Sequence, residues 1–471
     1  MRAIAGAIAL CFICCCQLAA APTTLPADVS TIPRDELAKL DATELAGDFP
    51  PQDSSKLASV HGLIEDYFAN GTFAGRKRIA GQIEKLGLDP AVVGRLTRLR
   101  THWPVLSGGT VYNVDHQRGT IRIRYFFGVP PGYNRDRSWP LVVHLPSEAE
   151  LAKVRTEEEA AAFYKREIEQ ELARHSDAVV LMPRLEPLVL FGPGYDGMND
   201  ALLPIFDIPE HVNVDPAQVY LVGAGDAAYA IWNLALLQPT YFAAVNPLAG
   251  GADAIWQRVR LMNLCNVMPV IWQDAQDPLV KPAATLSLVN ALRIQGINFQ
   301  IIQTDKLGHV PSDNVLRECY EKFRDRVRPL YPILVRLQST RPETAFNRAD
   351  WIQIWQPEDP GAEHRIYFRH EKGFMLVDEN PWRVEAKLDA NRITVATDNV
   401  ESFRIFLNDR MVDFHRPVTV MVNNRKRFEG IVPTIATEML QDQLLLGRGW
   451  RYFCGRIDIE PPPTATAPAK P

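Results

Sequence analysis

The stretch best suited to chemistry lies between positions 219 and 236. An apolar run, Val219-Tyr220-Leu221-Val222, leads into Gly223-Ala224-Gly225-Asp226-Ala227-Ala228, and a helix-like segment follows through Trp232 and Leu236. A buried strand, a turn of very small residues and a helix form a strained bend that can present one side chain at its tip. Small neighbours are needed for strand and helix to approach. Two residues compete for that tip. Gly225 has no side chain to offer, whereas a register one residue further on places Asp226 there, and carboxylate nucleophiles exist. Downstream, Asp277-Pro278 has the form of a turn opener and Gly308-His309 that of a strand cap. The ten histidines show no His-x-His or His-x-x-x-His spacing, so neither a metal nor a cofactor is expected.

The elements around these residues read as alternating strands and helices. Residues 111–114 and 121–126 flank a Gln117-Arg118-Gly119 turn and predict a hairpin. Apolar strands are expected at 139–145, 178–183, 219–222, 242–245, 269–272 and 299–302, with helices at 157–174 and 283–294. That alternation predicts an α/β fold with a mainly parallel sheet covered on both faces. Before it, 35–100 shows helical spacing broken at Phe49-Pro50-Pro51 and Asn70-Gly71. After about 346, short alternating runs bounded by Asn, Asp, Gly or Pro predict a C-terminal all-β, sandwich-like unit.

The expected organisation is a signal peptide at 1–21, a linker and helical pre-domain at 22–104, an α/β domain at 105–330, a β-sandwich-like domain at 331–460 and a disordered proline-rich tail at 461–471. The signal rests on Arg2, an apolar core from 3 to 18 and Ala19-Ala20-Ala21, which predicts a secreted or periplasmic protein. A lipoprotein reading through Cys16 is disfavoured by Cys14 and Cys15 ahead of it. No later run is long enough to cross a bilayer, so no integral membrane segment is expected once the signal is removed. A formal net charge of -5 with dispersed signs gives no nucleic-acid footprint. Four of the seven cysteines fall in the signal, leaving Cys265, Cys319 and Cys454 with at most one intramolecular disulfide.

The run Asn213-Val214-Asp215-Pro216, with Val219-Tyr220-Leu221, Trp232, Phe242-Ala243-Ala244-Val245 and Gly250-Gly251, resembles secreted bacterial esterases and peptidases. These are the prolyl oligopeptidase-like and polyhydroxybutyrate-depolymerase-like α/β-hydrolases, and the resemblance covers about 111–328. It implies a doubly wound, mostly parallel sheet with a nucleophile elbow. That family's elbow reads Gly-His-Ser-Met-Gly-Gly, which places Gly225 at the nucleophile position, without a hydroxyl. The resemblance further matches Asp277 to the acid and His309 to the base, in the order nucleophile, acid, histidine. The family's His-Gly at the start of the oxyanion loop is replaced by Pro146-Ser147. Asp226 puts an anion where an oxyanion would develop, opposing it.

Two functions follow from the resemblance. One is a protein of esterase or peptidase ancestry, catalytically impaired, that acts in binding a peptide, ester or glycan ligand. The other is an active esterase or peptidase with an unorthodox nucleophile, either Asp226 or a serine such as Ser147.

Overall fold

The computed structural model describes residues 54–98, 103–118, 121–185, 195–340, 347–358, 364–370, 373–379 and 381–460. The segments expected as a signal peptide (1–21) and a tail (461–471), and the stretch 22–53, lie outside these residues.

An eight-stranded sheet dominates. Its strands are β1 (Val111–Arg118), β2 (Ile121–Gly128), β3 (Trp139–His144), β4 (Val179–Pro183), β5 (Val214–Ala224), β6 (Ala244–Leu248), β7 (Met268–Asp274) and β8 (Gln300–Thr304), in the order β1-β2-β4-β3-β5-β6-β7-β8. The first two strands form an antiparallel hairpin in full register, from Val111 opposite Gly128 to Arg118 opposite Ile121. β2 joins β4 antiparallel, and every pair from β4 to β8 is parallel. All residues of β4, β6 and β7 are buried. Burial on both faces requires helical layers on both, which explains why these strands read as apolar runs rather than alternations. This is the α/β fold expected from the sequence.

The strand order places a gap where it matters. From β3 the chain moves one way to β4, and from β5 it moves the other way to β6. In open α/β sheets the crevice beyond the carboxyl ends of such strands is where ligands bind. Here those ends are His144, leading to Ser147-Glu148, and Ala224, leading to Gly225.

The C-terminal residues form a five-stranded sheet from Leu334–Ser339, Trp382–Asp389, Arg392–Asp398, Val418–Val422 and Arg425–Gly430. A four-stranded sheet comprises Arg348–Ala349, Ile352–Gln356, Ser402–Leu407 and Gly455–Ile459, and His364–His370 pairs with Gly373–Glu379 as a separate hairpin. The all-β expectation needs one correction, because Ala436–Leu446 is a helix. Its buried Met439 and Leu440 join Leu57, Val60 and Ile64 of the helix Ser54–Ala69 in a second hydrophobic core. An ion pair from Arg448 to Glu65 and bonds from Thr437 to Glu84 reinforce that junction. The N-terminal helices therefore pack against the C-terminal part of the chain. Cys265, Cys319 and Cys454 are free.

Candidate active site

At the end of β5 the backbone turns at Gly225, with φ 62° and ψ -120°, and the helix Asp226–Leu237 starts at once. This conformation is open essentially to glycine alone, and a side chain held there is strained by about 1–3 kcal/mol. The turn is tied down by the Gly225 N–H, which donates to the Leu248 carbonyl at 2.8 Å. Its neighbours are small for a steric reason. A Cβ on Gly250 would stand 2.5 Å from the Ala228 Cβ and 2.7 Å from the Gly225 carbonyl oxygen.

Two loops meet this turn from the far side. After β7, the Asp277 carboxylate accepts the N–H groups of Leu279 and Val280 at 2.8 and 2.9 Å. After β8, His309 Nδ1 lies 3.1 and 3.0 Å from the two Asp277 oxygens. An ionised carboxylate only accepts, so Nδ1 carries the proton and Nε2 of the neutral ring keeps its lone pair. The Asp277 side chain is fully buried and that of His309 is 25% exposed. A Cβ built on Gly225 would sit 3.2 Å from His309 Nε2. The structure thus brings Gly225, Asp277 and His309 together, with the imidazole directed at the turn.

Asp226 and Ser147 have other partners. One Asp226 oxygen accepts the Glu148 N–H at 2.9 Å and the other the Ala227 N–H at 2.8 Å. The carboxylate thus bonds to the turn after β3 rather than to His309. Ser147 caps the short helix Glu148–Leu151. Its hydroxyl donates to Glu150 at 2.7 Å and accepts the Glu150 N–H at 3.3 Å. Both candidate nucleophiles are engaged in positioning one turn.

One positioning residue was not foreseen. The Asp274 carboxylate is completely buried at the end of β7. It accepts the Thr304 hydroxyl at 2.7 Å and the N–H groups of Gln276, Leu307 and Gly308 at 2.9, 3.0 and 3.1 Å. One anion therefore fastens the Asp277 loop to the His309 loop. Burial pushes its carboxyl up, but the four hydrogen bonds outweigh that and hold it down at about 2, against the ordinary 3.8. A depressed carboxyl stabilises the fold above its unfolded pKa, and that contribution is lost as pH falls through the folded value. Thermal midpoints are therefore expected to drop between about pH 4 and about pH 2. Asp274→Asn should lower the midpoint at neutral pH and flatten that acid slope; an unchanged slope would show that Asp274 does not tie the loops.

Among the described residues no group of three His, Cys, Asp or Glu side chains is placed to hold a metal. No described helix is long and apolar enough to cross a membrane. A cleft lined by Arg98, Trp103, Pro209, Val212, Arg448 and Trp450 opens beside Val214, at the opposite end of β5 from Gly225.

With this geometry established, the chain can be set beside solved structures that it resembles over part of its length. A thermostable esterase is similar at 20% identity and a TM-score of 0.37, over 46% of this chain and 63% of that one. The acylaminoacyl peptidase of Pyrococcus horikoshii is similar at 12% identity and 0.36, over 46% and 42%. A truncated carbohydrate esterase from gut microbiota is similar at 11% identity and 0.37, over 46% and 96%. These neighbours are esterases and peptidases. The chain matches less than two thirds of the length of the first two, and the likeness is one of fold at low identity. No family model and no curated protein matches the sequence.

Proposed function

We propose that this chain is a protein of hydrolase ancestry that binds a ligand at the elbow and does not cleave it. The observation that carries the reading is the conformation of Gly225. The backbone keeps a strained turn aimed at a carboxylate-supported imidazole, yet the residue there has no atom with which to attack. Removal of a triad serine costs about 10⁶ in turnover. The second support is Asp226, whose carboxylate takes the Glu148 N–H at 2.9 Å. In hydrolases of this architecture an N–H from the turn after the equivalent strand stabilises the oxyanion. Here that donor already holds an anion.

An esterase using Asp226 or Ser147 would need each to leave the bonds described above and reach the acyl carbon beside His309. The wild-type protein is expected to stay unlabelled by a fluorophosphonate probe, read as the absence of an adduct in the intact mass. A stoichiometric adduct on any serine would defeat the proposal.

A further inference from the structure

The large sheet ends in an edge that nothing defends. β8 closes the strand order, with β7 on one side and no strand on the other. The Thr304 carbonyl accepts the Ala275 N–H at 2.8 Å, so residues 300, 302 and 304 aim their backbone groups at β7. By the alternation of a strand, Ile301 and Gln303 turn their N–H and C=O groups outward. Among the described residues no hydrogen bond reaches those outward groups.

An open row of donors and acceptors templates another strand, and edges are normally blunted by charge, proline or a bulge. Every other edge among the described sheets carries charge. Asp115 stands in β1, Arg336 and Lys426 in the two edge strands of the five-stranded sheet, and Arg348 and Asp458 in those of the four-stranded one. The separate hairpin has charged residues in both strands. β8 reads Gln-Ile-Ile-Gln-Thr, without charge or proline, and keeps an unbroken register against β7. The helix Pro282–Ile294 that leads into it has one charged residue, Arg293. The Arg293 guanidinium lies over the Phe299 ring, 5.7 Å from its centroid, which sets the last turn of that helix at the head of β8. Ile294 in the same turn is 83% exposed.

We infer that β8 pairs with β8 of a second copy of this chain, antiparallel, about a two-fold axis through Ile302. This register sets Ile301 opposite Gln303 of the second copy and Gln303 opposite its Ile301, so the outward groups of both strands bond across the axis. One residue beyond the strand, Asp305 comes opposite Phe299 of the second copy, the ring that carries Arg293. Asp305 and Arg293 are both exposed, so opposite charges meet once at each end of the junction. A strand of another protein could take the same backbone groups, but this charge match is built from the chain's own two termini of β8. Pairing consumes the edge, so assembly stops at the dimer. No residue of the elbow takes part, and the pairing is independent of what Gly225 does.

Sedimentation velocity of the purified full chain is expected to show a concentration-dependent equilibrium between monomer and dimer, with nothing larger. Gln303→Pro deletes an outward N–H and leaves the bonds to β7 intact. Two hydrogen bonds are lost per dimer, which should weaken it at least about tenfold. Asp305→Arg should weaken it as well, and adding Arg293→Asp to that variant should restore it. The charge-swap series decides the matter even if the proline variant folds poorly. A chain that stays monomeric at about 100 μM, a dimer unmoved by either change, or growth beyond the dimer would each overturn the pairing.

Discussion

Gly225→Ser is expected to give a protein that a fluorophosphonate labels at position 225, where the wild type stays unlabelled. The new Cβ would stand 3.2 Å from His309 Nε2, which brings Oγ within hydrogen-bonding reach of a base already oriented by Asp277. The introduced side chain must adopt φ 62° and ψ -120°, so the variant should also lose about 1–3 kcal/mol of stability, read from its denaturation midpoint. Turnover of a p-nitrophenyl ester should rise only part of the way, because the Asp226 carboxylate still takes the Glu148 N–H. Asp226→Ala in the Gly225→Ser background frees the Glu148 N–H and removes the opposing charge. One oxyanion donor is worth about 10²–10³ in turnover, so the double variant is expected to exceed the single one by about 10². Asp226→Ala alone should stay inactive. If the double variant is no faster than Gly225→Ser, the Asp226 carboxylate is not what blocks the oxyanion region.

Which parts of this site could be read from the chain depends on how local each signal is. The elbow is legible because its requirement is local: the small residues between Gly223 and Ala228 sit between an apolar strand and a helix, and sterics allow few other sequences there. Asp277 and His309 are legible because each follows a strand of the sheet, in Asp-Pro and Gly-His contexts. Asp274 is not, since its four donors come from its own loop and from residues 30 to 34 positions away. Nothing near it in sequence separates a loop clamp from a solvated turn. The bond between Asp226 and Glu148 spans 78 positions and exists only because β3 and β5 are neighbours. The all-β reading of the C-terminal part holds for its strands but omits a helix. Ala436–Leu446 finds its partners in the helices Phe73–Lys85 and Pro90–Leu96, almost the full chain away. By contrast, Trp382–Asp389 alternates buried and outward residues with period two, a pattern the sequence displays openly.

Asp350→Ala is expected to produce the largest loss of stability, about 3–5 kcal/mol, because it strands buried positive charge. The Arg328 side chain is 1% exposed and that of Asp350 is 3% exposed, and both Asp350 oxygens accept from Arg328 Nη2 at 2.7 Å. A second guanidinium adds to the demand: Arg451 is buried nearby, and burial, helped by Arg328, pushes its pKa down to about 10. Removing this carboxylate would leave two cations in a low-dielectric interior. The cluster joins three parts of the fold, since the Arg328 N–H donates to Ala217 of β5 at 2.8 Å and the Asp350 N–H to the Thr240 hydroxyl at 2.8 Å. Arg451 reaches the Leu330 carbonyl at 2.9 Å and also bonds the Thr240 carbonyl. Because φ at Asp350 is 50°, Asp350→Asn keeps a residue that tolerates this backbone and isolates the charge from the shape. Arg328→Met combined with Asp350→Ala should cost less than the sum of the two single changes, since neither charge is then left unpaired. Urea denaturation of the four proteins gives the coupling directly. Additive losses would mean that the pair acts as two independent hydrogen-bonding groups and does not clamp the C-terminal sheets to the one that carries the elbow.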